Sequence, residues 1–95
     1  MYGKVWRRLL EVSIKKMKIK VKFFSLLREE FGAAEKVVEI EDGSRVSDVA
    51  GLVGIESGRI EDGSVMAALN FEYCDADAVL KDGDEVAFFP PVSGG

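Results

Sequence analysis

The 95-residue sequence contains no histidine and only one cysteine, Cys74. Without histidine, the chain lacks the commonest general base and cannot form a Ser-His or Cys-His pair for nucleophilic catalysis. One cysteine cannot close an internal disulfide, which fits a reducing compartment, and it leaves no spacing of zinc ligands. These shortages argue against a self-contained hydrolase. We expect the chain to bind no metal and no cofactor.

Long apolar runs are also missing from the sequence. No stretch approaches the roughly 20 consecutive apolar residues that a membrane helix needs, and no secretory hydrophobic segment is present. We therefore expect a cytoplasmic protein with no membrane partner. A chain of 95 residues with 47% hydrophobic and 32% charged residues suits one domain with one modest core.

Charge is spread unevenly along the chain. The first 30 residues carry nine basic and three acidic groups, a balance of +6, whereas residues 31–95 carry four basic and fourteen acidic groups, a balance of −10. An acidic body disfavours nucleic acid as a partner and favours a basic protein surface, because complementary fields accelerate encounter. The same balance also fits a surface that is merely soluble, so composition leaves both interpretations open.

Residues 1–16 fit a core pattern poorly. Three apolar residues of this stretch follow helical spacing: Val5, Leu9 and Val12. A short basic amphipathic helix for a membrane or nucleic-acid surface is one hypothesis, and a flexible extension is the one we adopt. Met17 opens a cleaner pattern and is the expected natural first residue. The predicted organisation is an extension over residues 1–16 and one domain over residues 17–95.

The domain shows strand and helix patterns in alternation. Strict alternation of apolar and lysine residues predicts a strand over residues 17–24, and an apolar stripe at helical spacing predicts the main helix over residues 46–53. The other predicted elements are a helix over 26–31 capped by Ser25 and ended by Gly32, strands over 35–41, 65–70 and 85–89, a loop over 54–64, an irregular connection over 71–80, and a turn over 81–84. This order predicts an α+β domain with a helix packed on one face of a mixed sheet, whose first and last strands are central.

The last eight residues are Phe88-Phe89-Pro90-Pro91-Val92-Ser93-Gly94-Gly95. Their two prolines stop further strand pairing, because proline has no N–H to donate. The six residues from Pro90 onwards reach at most about 20 Å when extended, enough to enter a buried site in a partner. We predict that the reactive group is the carboxylate of Gly95 rather than any side chain. The alternative is a flexible tail without a function.

The stretch from Leu80 to Gly95 resembles the C-terminus of the MoaD-type sulfur carriers, the small subunits of molybdopterin synthase. Residues 61–64 leading into 67–70 resemble the strand before it, and residues 18–29 resemble the start of the family. The resemblance covers about residues 17–95. It implies a ubiquitin-like β-grasp fold, which is an α+β mixed sheet with one main helix packed on it and an extended C-terminal Gly-Gly tail.

The resemblance also implies a chemistry for the tail. An E1-like activating enzyme would use ATP to adenylate Gly95, and sulfur from a donor protein would replace AMP to give a thiocarboxylate. The tail would then enter the large subunit of molybdopterin synthase and give its sulfur to a pterin precursor of the molybdenum or tungsten cofactor. The chain itself would be a non-catalytic donor subunit, and zinc would belong to some activating partners. Because Gly95 has no Cβ, its carbonyl carbon is open to the attacking sulfur, and Gly94 completes this site.

Six further residues are predicted to contact partner proteins: Phe71, Phe89, Pro90, Pro91, Val92 and Ser93. Phe71 follows Asn70 where the family pattern has a small or polar residue, so we interpret it as a partner-facing apolar contact. The two prolines stiffen the base of the tail and reduce the entropy that is lost on insertion. Phe88 is expected in the core, and Cys74 is interpreted as a bystander.

The same tail chemistry serves other functions. One is a protein modifier, like the small archaeal ubiquitin-like modifiers, which would join Gly95 to a lysine of another protein. Another is a carrier for transfer-RNA thiolation or for sulfur amino-acid synthesis. The last is a structural domain that never uses its terminus. The sequence of the tail does not discriminate among them.

Overall fold

A computed structural model describes residues 15–91; the predicted extension up to residue 14 and the tail from residue 92 lie outside the described residues. The elements in chain order are β1 (Lys16–Phe23), α1 (Leu26–Phe31), β2 (Glu35–Glu41), α2 (Val46–Val53), α3 (Ser57–Glu61), β3 (Met66–Leu69), β4 (Glu72–Tyr73) and β5 (Glu85–Phe89). The strands form one mixed sheet in the order β2-β1-β5-β3-β4. The predicted α+β architecture with a mixed sheet is therefore confirmed.

Strands β1 and β5 lie side by side inside the sheet and run parallel, with Phe23 beside Phe88. Strand β2 pairs antiparallel with the free side of β1, and β3 pairs antiparallel with the free side of β5. Parallel neighbours need a long crossover connection, which the chain between β1 and β5 supplies. The last strand is thus held from both sides, as the prediction of central first and last strands requires.

The core lies between one face of the sheet and the helices. Alternate residues of β1 are buried, whereas the lysines between them are exposed or, for Lys22, half-buried, so the predicted one-sided strand is confirmed. The buried apolar cluster joins these residues to α2 and β5 and includes Met17, Ile19, Val21, Phe23, Val46, Val49, Ala50, Val86 and Phe88. Burying a large apolar side chain contributes roughly 1.5–3 kcal/mol, so this cluster is what holds the helices on the sheet.

The predicted cap of α1 is wrong. Ser25 has a φ of 58°, and its side chain makes no hydrogen bond to the start of the helix. A capping residue needs an extended backbone so that its hydroxyl can reach the N–H two or three residues on, and a positive φ does not provide that geometry. Gly32 ends the helix with a φ of 68°, as predicted.

The predicted loop over residues 54–64 contains the short helix α3. A five-residue helix is unstable alone, and here it is held by its neighbours. The Arg59 guanidinium donates two hydrogen bonds to the Glu30 carboxylate of α1, and Ile60 packs against the core. The hydrogen bond from Arg59 lowers the pKa of the Glu30 carboxyl. This tie is therefore lost only as the pH falls through that lowered pKa.

The predicted irregular connection over residues 71–80 begins with the two-residue strand β4. Glu72 pairs with Leu69, and Tyr73 pairs with Ala68, so β4 forms one edge of the sheet. A strand this short has no readable alternation, and only its pairing with β3 reveals it.

Candidate functional site

Strand β5 ends at the surface between β1 and β3. Phe88, its penultimate residue, is fully buried, and its ring centroid lies 6.3 Å from that of Phe23. The Phe88 carbonyl accepts a hydrogen bond of 3.1 Å from the N–H of Phe24. The prediction that Phe88 is a core residue is confirmed. This anchor fixes the point at which the chain leaves the sheet.

Pro90 and Pro91 follow β5 directly and lie outside the sheet, because neither has an N–H to pair with a neighbour. Pro90 is half-buried and Pro91 is exposed. The remaining predicted tail residues lie outside the described residues: Val92, Ser93, Gly94 and Gly95. Their predicted roles stay predictions.

The solvent-facing side of the sheet is apolar next to this point. Phe89 lies opposite Met66 on β3, and its ring centroid lies 5.7 Å from that of Tyr73 on β4. Together with Pro91 these side chains line a surface groove of about 290 Å³, which we name the exit groove. Tyr73 is 73% exposed. An open cluster rich in aromatic residues is typical of the centre of a protein interface.

Of the four residues in this groove, Phe89 and Pro91 were predicted from the sequence as partner contacts, whereas Met66 and Tyr73 were not. Alternation along β3 places Met66 on the face opposite the buried Ala67, so Met66 could have been found once β3 was paired with β5. Tyr73 carried no such signal, because its strand has two residues.

Phe71 lies at the other end of the same sheet. Leu69 at the end of β3 is opposite Val86 near the start of β5, so the turn after Leu69 lies far from the end of β5. Phe71 is 87% exposed. The structure therefore does not bring Phe71 and Phe89 together, and the predicted partner contact of Phe71 concerns a separate part of the surface.

Charged side chains lie along β1 on the same face of the sheet as Phe89. Lys22 forms a salt bridge of 3.4 Å with Glu85 of β5, and Lys18 and Lys20 are exposed along β1. Ala87 lies between Lys22 and Ala68 in the sheet. This face thus changes from lysine-rich at β1 to apolar at β3 and β4, which fits a partner surface with both acidic and apolar parts.

Cys74 is half-buried and packs against the core. Burial, and to a smaller extent the negative charge of Asp75, raises the pKa of its thiol above the ordinary value of 9.0. The thiol is therefore protonated at neutral pH, whereas the thiolate is the reactive form. This environment supports the interpretation of Cys74 as a bystander.

Across residues 15–91, no group of three or more histidine, cysteine, aspartate or glutamate side chains is arranged to hold a metal ion. The helices in this part of the chain are all too short or too polar to cross a membrane. The core formed by the described residues contains no buried polar or charged side chain. Among the described residues, the candidate site is the exit groove beside the end of β5.

The sequence profile of the ThiS family matches residues 21–95. The molybdopterin synthase sulfur carrier subunits of Escherichia coli and Chlamydomonas reinhardtii are 42% and 44% identical over 81 and 86 residues, which cover 81% and 83% of this chain and 99% and 100% of theirs. Small archaeal modifier protein 3 of Haloferax volcanii is 34% identical over 92 residues, covering 83% of this chain and 100% of that protein.

Solved structures match the fold as well. A Pyrococcus furiosus protein described as a molybdopterin converting factor subunit 1 has a TM-score of 0.68 at 34% identity, covering 80% of this chain and 99% of that one. A chain from the complex of subunits 1 and 2 of the Helicobacter pylori molybdopterin-converting factor has a TM-score of 0.56 at 26% identity. The match covers 83% of this chain and 100% of that one. These matches confirm the ubiquitin-like β-grasp fold and the predicted resemblance. The chain belongs to the ThiS family, to which the MoaD-type sulfur carriers are related.

Proposed function

We propose that this chain is the sulfur-carrier subunit of molybdopterin synthase and that it carries sulfur as a thiocarboxylate on Gly95. The observation that carries the proposal is the identity of more than 40% to two sulfur carrier subunits over nearly their whole lengths. The arrangement of β5 is consistent with it, because the strand next to the tail is interior to the sheet and anchored by Phe88.

The proposed chemistry has two activation steps. The Gly95 carboxylate attacks the α-phosphorus of ATP on an E1-like enzyme and displaces pyrophosphate, giving an acyl adenylate. A sulfur nucleophile at the oxidation level of sulfide, supplied by a donor protein, then displaces AMP and leaves the thiocarboxylate. The carboxylate is a poor electrophile and the mixed anhydride is a good one, which is why ATP is needed. This chain would supply the acyl group, and its partners would supply the catalytic groups.

In the last step the thiocarboxylate sulfur is transferred to the pterin precursor and water restores the Gly95 carboxylate. This step requires the tail to lie inside the large subunit of the synthase. Pro90 and Pro91 restrict the base of the tail, so less conformational entropy is lost on insertion. The exit groove is the surface next to that base, and we assign it to contact with the large subunit. We propose that this chemistry takes place in the cytoplasm, because a reducing compartment suits a chain with one free cysteine.

Incubation of the chain with ATP, a cognate E1-like enzyme and a sulfur donor is expected to yield a thiocarboxylate. Intact-protein mass spectrometry should show the increase from exchanging one oxygen atom for sulfur. Addition of the large subunit and the pterin precursor should then yield molybdopterin and return the original mass. A reaction without ATP is the control. A chain that is adenylated and thiolated but yields no molybdopterin would contradict the assignment to this synthase.

Replacement of Cys74 by serine is expected to leave sulfur transfer within about twofold of wild type, since a half-buried protonated thiol is a poor nucleophile. Alkylation of the wild-type thiol should be slow at pH 7 and should accelerate only as the pH rises above the ordinary pKa of 9.0. Transfer assays and alkylation followed by mass across a pH series measure both. Loss of transfer in the serine variant would make Cys74 a sulfur relay.

The second candidate function is protein modification, and the similarity to small archaeal modifier protein 3 favours it. In that case an acceptor lysine would attack the Gly95 adenylate or a thioester derived from it, and an isopeptide bond would form. Expression of an N-terminally tagged chain in cells tests this function. Covalent conjugates of high mass that disappear when Gly95 is deleted would favour it, and loss of molybdopterin on deletion of the gene would favour the first.

A further inference from the structure

The turn between β3 and β4 contains two residues, Asn70 and Phe71, because Leu69 pairs directly with Glu72. Both turn residues have a positive φ, 48° for Asn70 and 72° for Phe71. This is the arrangement of a type I′ hairpin turn, whose second position strongly favours glycine. Asparagine tolerates the left-handed region, but a bulky side chain there is strained.

Asn70 leaves the turn little freedom to relax. Its N–H donates to the Glu85 carbonyl at 2.8 Å. Its side-chain amide donates to the Asp84 carboxylate at 3.0 Å and accepts from the Glu85 N–H at 3.0 Å. These contacts hold the hairpin against the start of β5. The strain at Phe71 is therefore imposed by the surrounding fold. Glycine would adopt the same positive φ without steric strain.

The Phe71 side chain makes few stabilising contacts with the rest of the described chain. It is 87% exposed, the most exposed of the large hydrophobic residues among residues 15–91. The aromatic contacts in this part of the chain are made by other rings: Phe23, Phe31, Phe88, Tyr73 and Phe89. Phe71 is also absent from the core cluster and from the residues packed against it. A strained backbone that presents an uncovered aromatic ring indicates a contact with another molecule.

The position of Phe71 allows one partner to cover both it and the exit groove. Four residues of β5 separate the two ends of the sheet, a distance of roughly 13 Å at about 3.3 Å per residue. An interface of ordinary size buries about 800 Å² on each partner, which is roughly 30 Å across. Two acidic residues lie beside this turn: Glu72 follows Phe71 in the chain, and the Asp84 carboxylate accepts a hydrogen bond from the Asn70 side chain. The surface that receives the ring should therefore be apolar with a basic rim.

We propose that Phe71 inserts into an apolar socket with a basic rim on the large subunit of molybdopterin synthase, as a second anchor separate from the exit groove. This inference rests on the proposed function and deepens it. The large subunit is the partner that must hold the base of the tail, so its surface already covers the exit groove. The same surface of the large subunit would extend to Phe71 as a second contact. The hairpin keeps a strained phenylalanine because this contact uses it.

The test is the variant Phe71→Gly, studied as the full chain with the large subunit. Removing the strain should raise the midpoint of thermal unfolding by roughly 2–5 °C. Removing the anchor should weaken binding to the large subunit by about 10- to 100-fold, measured by calorimetric titration. Phe71→Tyr, which keeps the ring and the strain, should retain wild-type affinity and the wild-type midpoint. Adenylation by the E1-like enzyme should not change in either variant.

Leu52→Ala is the matched control, since Leu52 is another exposed apolar residue, 57% accessible, on helix α2. It should leave binding unchanged. Unaltered affinity of Phe71→Gly, or a loss confined to adenylation, would overturn the proposal while leaving the proposed function intact. A lower unfolding midpoint in Phe71→Gly would show that the ring stabilises the fold and would overturn it too. A wild-type chain that does not bind the large subunit would refute both proposals.

Discussion

A chain that lacks Gly95 is expected to fold normally and to lose sulfur transfer by at least about 100-fold. Deleting one residue withdraws the carboxylate by about 3.4 Å, and a misplacement of only 1 Å can cost roughly 100-fold in rate. The deletion lies beyond β5, whose end is already fixed by the buried Phe88, so the free energy of unfolding should not change. Thiocarboxylate formation followed by mass, together with thermal unfolding, measures both quantities.

Gly94→Ala should abolish transfer as well, because a Cβ next to the reactive residue crowds the approach to its carbonyl carbon. Gly51→Ala is the matched control. Gly51 lies in helix α2, and a Cβ built there meets no atom within 4 Å. Alanine at this position should stabilise the helix by roughly 0.5–1 kcal/mol and leave transfer unchanged. Full transfer by a chain without Gly95 would refute the proposed role of the terminal carboxylate.

Two adjacent phenylalanines are expected to respond to truncation in opposite ways. Phe88→Ala should lower the free energy of unfolding by roughly 3–5 kcal/mol, because a fully buried ring leaves a cavity. A small domain has only about 5–15 kcal/mol of stability in total, so this variant should unfold at much lower denaturant concentration. Phe89→Ala removes a half-buried ring on the opposite face of the strand and should cost much less stability.

Phe89→Ala should instead weaken binding to the large subunit by about 10- to 100-fold, as expected for an aromatic residue at the centre of an interface. Urea titration gives the stability of each variant, and calorimetric titration with the large subunit gives its affinity. Binding should be compared for Phe88→Ala only at a temperature where that variant is folded. If Phe89→Ala bound as tightly as wild type, the exit groove would not be the contact surface.

Much of the fold could be predicted from local patterns. Alternation of apolar residues and lysines located β1 to within a residue at each end, since every second side chain of a one-sided strand must leave water. The stripe that begins at Val46 located α2, and the position of Gly54, with a φ of 101°, ended it. Strand β5 and the turn before it were also predicted correctly. These elements can be recognised locally, because a strand or helix with one buried face repeats apolar residues at a fixed spacing.

Elements that depend on distant partners were missed. The helix over residues 57–61 is held by Arg59 on Glu30 and by Ile60 on the core, and a sequence of five residues does not reveal those contacts. Strand β4 exists only because β3 offers it an edge. The failure of Ser25 as a cap has the same origin, because its backbone conformation follows from how β1 is joined to α1.

The candidate site also contains residues that the sequence predicts and residues that only the fold brings together. The functional tail from Pro90 onwards and the partner contact of Phe71 could be predicted from the sequence. Prolines, terminal glycines and an aromatic residue outside any strand or helix pattern can be recognised without knowing the fold. The exit groove could not, since Met66, Tyr73 and Phe89 are distant in sequence and meet only when β5 pairs with β3.

The sequence by itself determined strands β1, β2, β3 and β5 and the main helix, and it determined the proline and glycine residues of the tail. Local periodicity and the missing N–H of proline are properties of consecutive residues, so they need no fold to act. Only the tertiary structure decided that β1 and β5 are parallel neighbours, that the groove lies beside the end of β5, and that Phe71 is held in a strained turn at the far end. Those features result from pairing between distant segments, whose register is set by the burial of the whole core.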